Sequence, residues 1–585
     1  MSKVTITVAV ENNSARDRQH SRRRAVIMVF FGIVAISFLL RIFYASHLYQ
    51  DDGLWFTAAE QLLDGRALYR EIYFDKPPAL PILYALLFKL FGAHIIVIRL
   101  FTVFYSVSVS ALLYLFGSRL YGERAGLLAA AMFAVFSTTY TTGHVQGLNT
   151  DFLMLLPYTA GAYLFTRSVE GRKWLALCGG VLVGVAFQIN PKAVFDLVFF
   201  AFLLLIAVRW GAATLRTSGV LLALAIAGAV AGALPFFVYI ALTGSFPDYW
   251  LYVWDWGARY AGYNSIWKTL LTALAQSVNY FALNNTLLVT LAFVVAGVII
   301  KRKRLRKAGA EPAPTAVSEA EVQYRSDLIV LAWLAASYCG LAVGGRFFGH
   351  YFFQIMPALC LIGGRGLIEI ISRLKSPRVK TSVRWLVTGL LLVGFIFTLA
   401  RFHSRTFTLA SDWARRAKSE KTADWFHERL NREERMAAAV ARGLPNPVEA
   451  AGDRDVEAMR RDAKDDYLFV WGYRPEIYYW SGLRPASRYL STQPLTGVPA
   501  DIHYFGDNFE HLLDDRRTAP AREELAAELR ATRPAYIIDE LGFFNGHLSI
   551  QDYPELSEIM KGYDYRGATG RFLIYRRKDL AVKKN

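Results

Sequence analysis

Two adjacent carboxylates, Asp51 and Asp52 in Tyr49-Gln-Asp-Asp-Gly53, follow the first long apolar run of the chain. Neighbouring carboxylates repel, which raises one pKa and suits proton transfer, so the pair would supply a general base or hold a cation. A second reading is that one of them caps the amphipathic stretch Leu54 to Leu63 and keeps it at a membrane interface. Lys76 stands before two prolines in Tyr73-Phe-Asp-Lys-Pro-Pro78. That rigid turn would fix an ammonium near lipid headgroups, where it either binds a phosphate or snorkels. Asp151 opens a further apolar run, a place where helix capping also accounts for an Asp. Lys192 and Asp196 lie four apart, so an ion pair on one helix face is one reading and a phosphate ligand at Lys192 the other. Arg346 and His350, in Gly344-Gly-Arg-Phe-Phe-Gly-His-Tyr-Phe-Phe-Gln354, form another cationic cluster, in which His350 also reads as an interfacial histidine. Gathered at one face, carboxylates with Lys and Arg suit transfer away from a phosphate leaving group. A carboxylate takes the proton of an acceptor hydroxyl while the cations stabilise charge growing on the departing phosphate.

The elements that must position these groups are membrane spans. Of 585 residues 54% are hydrophobic and only 19% charged, against about 25% charged in an ordinary soluble domain, which disfavours a water-soluble protein. A transmembrane helix needs roughly 20 mostly apolar residues, and candidates lie at 25–45, 94–117, 125–143, 151–168, 174–190, 193–209, 218–241, 280–300, 327–345, 351–371 and 385–403. The stretch 79–92 is a twelfth, short enough to predict an interfacial or re-entrant helix. The first span is long, with no small-residue cleavage site behind it, and is expected to stay in the mature protein. The basic run Arg16 to Arg24 before it places the N-terminus in the cytoplasm. Alternation then puts the loops 117–125, 166–173, 209–217, 301–326 and 372–384 inside and the tail after about residue 404 outside. The N-terminus and these five loops hold about 25 basic and about 7 acidic residues. The net charge of +18 therefore reports orientation, and no nucleic-acid partner is predicted. The polybasic run Lys301 to Lys307 is read as a topology determinant before a lipid or nucleic-acid contact.

The expected organisation is a basic cytoplasmic N-terminus at 1–24, a transmembrane domain at 25–403 with an external loop at 46–93, and an extracytoplasmic domain at 404–585. The fold class is thus a polytopic α-helical membrane protein of about 11–12 transmembrane helices with a C-terminal extracytoplasmic α/β domain. Strands are predicted at 467–472, 536–538 and 572–575, helices at 522–532 and 554–561, and a loop at 443–465. Cys178, Cys339 and Cys360 fall in apolar runs and read as small buried hydrophobes. No cluster has metal-ligand spacing, so no metal and no cofactor are predicted. The aromatic stretch Trp250-Leu-Tyr-Val-Trp-Asp-Trp256, with Arg259, Tyr260 and Tyr263, reads equally as a sugar-stacking surface or an interfacial belt. Trp471 to Trp480 is read as core packing ahead of an acceptor groove.

The order Asp51-Asp52, amphipathic helix, Gly65 and Tyr69, Lys76-Pro-Pro, Phe91-Gly92 and Arg99 resembles the start of the GT-C membrane glycosyltransferases, with the bacterial protein mannosyltransferase and aminoarabinose transferase group as nearest kin. Asp151 resembles that group's second acidic position, Lys192 its lysine after the fifth span, and Arg346, Tyr351 and Pro357 its late basic-tyrosine-proline pattern. The resemblance spans about residues 25–370. It departs at Asp52, where Glu is usual, and at Asn190-Pro-Lys-Ala193, which lacks the usual Lys-Gly pair. It implies a polyprenyl-phosphate sugar donor, membrane lipid around the site, and a glycan, lipid or protein acceptor. Reaction would occur on the outer face of a cell membrane, with inversion at the sugar carbon. Asp51 or Asp52 would be the base or acceptor-orienting group with Asp151 assisting. Lys76, Lys192 and Arg346, with His350 and Tyr351 beside them, would hold the lipid phosphate. An acceptor that is already an ionised phosphate would need no base. The competing expectations are a flippase of lipid-linked sugars, which requires ionisable groups at mid-membrane depth, and a non-catalytic envelope scaffold, which has no use for three carboxylates at one face.

Overall fold

A computed structural model describes residues 24, 26–43, 48, 50–139, 148–262, 265–308, 319–416, 431–444, 466–498 and 515–580. The basic run before Arg24, Tyr263 and the predicted loop from 445 to 465 lie outside the described residues, as do the side chains of Arg304 to Lys307.

Among the described residues, six helices are long and apolar enough to cross a membrane: Ile95–Tyr121, Pro191–Arg209, Leu215–Leu242, Asn285–Lys303, Gly349–Leu374 and Thr381–Ser404. Each coincides with a span expected from hydropathy. The other five expected spans form helices that do not meet this standard. Val26–Ile42 and Trp174–Phe187 are apolar but short, and the span at 125–143 becomes a helix of 14 residues, Glu123–Phe136. The span at 151–168 breaks into Thr150–Leu153 and Leu155–Ser168, and the span at 327–345 is the C-terminal part of Glu319–Ala342. The stretch at 79–92 is a helix, Ala79–Phe91. Of the three cysteines only Cys360 is buried; Cys178 is partly covered and Cys339 exposed, so burial of all three is corrected.

Lipid offers no hydrophobic drive for one apolar helix to meet another, so close packing of small residues takes over. Trp174–Phe187 and Leu215–Leu242 show this with two four-residue glycine spacings. A Cβ on Gly180 or Gly184 would lie 2.0 or 2.1 Å from the carbonyl oxygens of Ala225 or Ala229. One on Gly228 or Gly232 would meet those of Leu177 or Val181 at 2.1 Å. This fixes the end of the first helix, and the chain emerges from it at Gln188 to Lys192.

The C-terminal part forms a five-stranded sheet of order β2-β1-β3-β5-β4. Here β1 is Tyr467–Trp471, β2 Arg484–Pro485, β3 Tyr536–Asp539, β4 Tyr563–Thr569 and β5 Phe572–Arg577. β1 runs parallel to β2 and β3, and β5 antiparallel to β3 and β4. The helices Asp515–Thr532 and Pro554–Met560 complete an α/β unit. Its short helix Glu476–Ser481 docks on the amphipathic helix Gln50–Leu63 that carries Asp51 and Asp52. Thr57 Oγ1 donates to the Pro475 carbonyl at 3.2 Å, and Tyr479 meets Phe56 edge to face at 5.2 Å. A Cβ on Gly53 would stand 2.5 Å from the Glu476 backbone nitrogen. Arg488 adds a second tie, donating to the Arg70 carbonyl and to Asp248, each at 2.8 Å, and to the Tyr252 hydroxyl.

Candidate active site

Two short turns meet at the end of the helical bundle. Asn149 accepts from the Phe152 backbone N–H through Oδ1 at 2.7 Å, capping Thr150–Leu153 and leaving Asp151 in the first turn. Asn149 therefore does the capping that would have explained Asp151. Asn190 caps the 3-10 turn Pro191–Val194, and its Nδ2 donates to Asp151 Oδ1 at 3.0 Å. Lys192 Nζ reaches the same oxygen at 3.2 Å and lies 3.0 Å from the centroid of the Tyr351 ring. His350 Nε2 stands 3.8 Å from Asp151 Oδ2. The helical pairing of Lys192 with Asp196 does not form. Lys192 belongs to a 3-10 turn and Asp196 to the α-helix after it, so the two do not share a face. Asp196 instead accepts from Trp333 Nε1 at 2.9 Å. Gln354 Nε2 donates to the Lys192 carbonyl at 2.9 Å. Arg346 sits half-buried on the adjoining turn, between Gly345 and Phe347, which hold φ of 63° and 51°.

The second group surrounds Asp51. Asp52 is buried and pairs with the equally buried Arg99, with Oδ2 accepting from Nη2 at 2.8 Å. Asp51, one residue earlier, reaches solvent although protein atoms crowd around it. This crowding pushes its carboxyl up to about 6, while Lys76 and Arg474 pull it down and Asp75 and Asp52 push it up. Lys76 Nζ lies 3.1 Å from Asp75 Oδ2 and keeps nearly half its side chain exposed. Its carbonyl accepts from the hydroxyl of the buried Tyr69 at 2.8 Å, and Tyr69 holds φ of 70°. A non-glycine residue in that region marks a turn fixed by its surroundings. Lys76 and Lys192 lie close enough to act on each other electrostatically, which links the two groups.

The structure thus brings Asp151, Lys192, His350 and Tyr351 into contact, leaves Asp51 within electrostatic reach of Lys76, and draws Asp52 into an internal pair. Asp75, Asn190 and Arg474 join them without having been singled out. Asp75 and Asn190 adjoin recognised residues, whereas Arg474 comes from a distant segment and carries no local signal. In the aromatic stretch, Tyr252 is buried against Tyr73, with ring centroids 4.9 Å apart, and Trp254 stacks on Phe187 at 5.9 Å. Tyr252 and Trp254 thus pack within the protein, while Trp250 is exposed. In Trp471 to Trp480, both tryptophans and the three tyrosines are buried, as core packing requires.

Residues 75–239 match the family described as dolichyl-phosphate-mannose-protein mannosyltransferase, a segment of just over a quarter of the chain. It contains Lys76, Arg99, Asp151 and Lys192 but not Asp51, Asp52 or the 346–351 turn. Among solved structures, ArnT from Cupriavidus metallidurans in the apo state aligns with a TM-score of 0.53 and 12% identity, over 95% of this chain and 98% of that one. Archaeal oligosaccharyltransferase AglB from Archaeoglobus fulgidus, in complex with an inhibitory peptide and a dolichol-phosphate, aligns with a TM-score of 0.51 and 13% identity, over 96% and 75%. The chain has the GT-C glycosyltransferase fold. The resemblance to that group is borne out by the GT-C fold and, for residues 75–239, by the matched segment, and the chain is a multi-pass membrane protein. No curated relative matches it by sequence.

Proposed function

We propose that the chain is an integral membrane glycosyltransferase that moves a sugar from a polyprenyl-phosphate donor to an acceptor on the extracytoplasmic face. The observation that carries this reading is the contact of Asp151 with Lys192 and His350, with Tyr351 under the lysine, and the charge that Lys76 exerts on Asp51. The matched mannosyltransferase segment and the dolichol-phosphate held by AglB support a lipid-phosphate donor. Asp51 is the base. With its carboxyl near 6 it is mostly ionised at neutral pH yet a stronger base than a free aspartate. It takes the acceptor hydroxyl proton as that oxygen attacks the anomeric carbon from the face opposite the phosphate. The carbon–oxygen bond to phosphate then breaks, its electron pair stays on the phosphate, and the sugar carbon inverts. Lys76, Lys192 and Arg346 neutralise the charge that develops there. Asp52 orients the first turn of its helix through Arg99, and Asp151 aims Lys192.

The orientation is part of the proposal: N-terminus in the cytoplasm of a plasma or inner membrane, and the domain from about residue 404 outside. The test incubates purified protein with a panel of polyprenyl-phosphate sugars and detects release of the lipid phosphate. Asp51→Asn and Asp151→Asn should each abolish release without lowering the amount of folded protein in the membrane. Full activity in both variants sinks the assignment.

A further inference from the structure

Beneath Asp51 lies an ion cluster built wholly from the C-terminal part of the chain. Arg474 Nε donates to Glu540 Oε1 at 3.0 Å, and its Nη1 lies 3.5 Å from Glu476 Oε1 and 3.8 Å from Glu434 Oε1. Arg571 approaches from the other side. It pairs with Glu434 and stands 3.8 Å from Glu540 and 3.4 Å from the more exposed Glu433. The three glutamates that contact Arg474 are buried, and Arg474 is almost so. The cluster abuts the carboxylate-bearing turn directly, since a Cβ added to Gly53 would lie 2.5 Å from the Glu476 backbone nitrogen and 2.8 Å from its Cβ. Within this cluster Arg474 is a cation that acts on Asp51, and the carboxylates it contacts offset its charge. Charge reaches Asp51 from Lys76 and Asp75 on the external loop, Asp52 on its own helix, and Arg474 on the C-terminal domain.

We propose that Arg474 is a positioning residue of the transfer site, through which the C-terminal domain sets the orientation and charge of Asp51. This rests on the transfer reading above. It gives the tail a part in the reaction: the domain completes the surroundings of the base.

The test compares full-length wild type, Arg474→Gln, Glu540→Gln and Asp51→Asn in lipid-phosphate release across pH 5–9, with KM for the donor at each pH. Removing the arginine charge should move the acid limb of the profile upward by about half a unit to one unit, cutting the rate at pH 6 by about two- to fivefold while leaving pH 8 nearly unchanged. Glu540→Gln keeps an acceptor for Arg474 Nε but removes a competing negative charge, so its acid limb should move downward. Donor KM should be unaffected in both. Opposite shifts are what a merely structural role does not produce. An unmoved limb in both variants, or movement in the same direction, overturns the proposal. If Arg474→Gln does not accumulate, an unmoved or upward limb in Glu540→Gln overturns it alone. Full activity in Asp51→Asn instead sinks the transfer reading, so the two failures are distinguishable.

Discussion

Asp51 and Asp52 are chain neighbours with opposite surroundings, and that difference underlies the separate roles proposed for them. Asp52 is sealed against Arg99, and removing one partner of a buried pair typically costs about 3–5 kcal/mol because the other charge is left uncompensated. Arg99→Met should therefore lower the amount of folded protein, whereas Asp51→Asn should leave it intact and remove activity. Fluorescence-detected gel filtration alongside the release assay separates these effects. Wild-type rate should rise with pH through about 6, as Asp51 ionises into its base form. Glu476 gives a stability counterpart: burial holds its carboxyl up to about 8. A raised carboxyl stays protonated in the folded state while the unfolded chain has already released the proton. Stability should therefore fall as pH rises from about 4.5 to about 8. In Glu476→Gln, a melting-temperature series over that window should lose this part of the slope; an unchanged slope would refute it. At this scale the sequence was informative where partners are near in the chain or stand in a motif, as with Lys76 before two prolines. It misled at Lys192 because Pro191 opens a 3-10 turn, which breaks the four-residue rule. It was silent on Arg474, whose relation to Asp51 exists only after two distant segments pack.

Among the elements, the helix Gln50–Leu63 has two duties, carrying the carboxylates and seating the C-terminal domain. Gly53 makes the second possible. Gly53→Ala would drive a methyl group into the Glu476 backbone, and overpacking of this kind costs typically about 1–3 kcal/mol. Limited proteolysis should find the C-terminal domain more readily released in that variant, and transfer should fall with it; unaltered release would show that the contact is not needed. Gly340 poses a similar constraint. A Cβ there would lie 2.3 Å from Gln354 Nε2, the donor to the Lys192 carbonyl. Gly340→Ala should therefore weaken donor binding, read as a raised KM, while the membrane content of the protein is preserved. Hydropathy located the helices because apolarity is a property of composition. It could not place breaks such as the one at Met154, where the Tyr105 hydroxyl from another helix donates to the Leu153 carbonyl and accepts from the Leu156 N–H. It likewise found β1, β3 and β5 as apolar runs but missed β2, two residues long, and β4, in which Tyr563 alone is buried.

For the whole molecule, the proposed active face is assembled from segments far apart in the chain. A topology reporter fused after residue 404 should read extracytoplasmic, and a cytoplasmic signal would contradict the proposed orientation. Arg488 joins the loop that carries Lys76, the aromatic stretch near Asp248 and the C-terminal sheet. Because Gly53 is seated by Glu476, about 420 residues later, ribosomes adding about 5–20 residues per second leave roughly 20–85 s between synthesis of the base and arrival of the segment that encloses it. In the proposed orientation, a nascent chain that has inserted its first helices would display Asp51 outside while still lacking Arg474. Under the proposed reaction, competence begins only once the last domain has been exported and folded, so the enzyme carries its own safeguard against consuming lipid-linked sugar before biogenesis is complete.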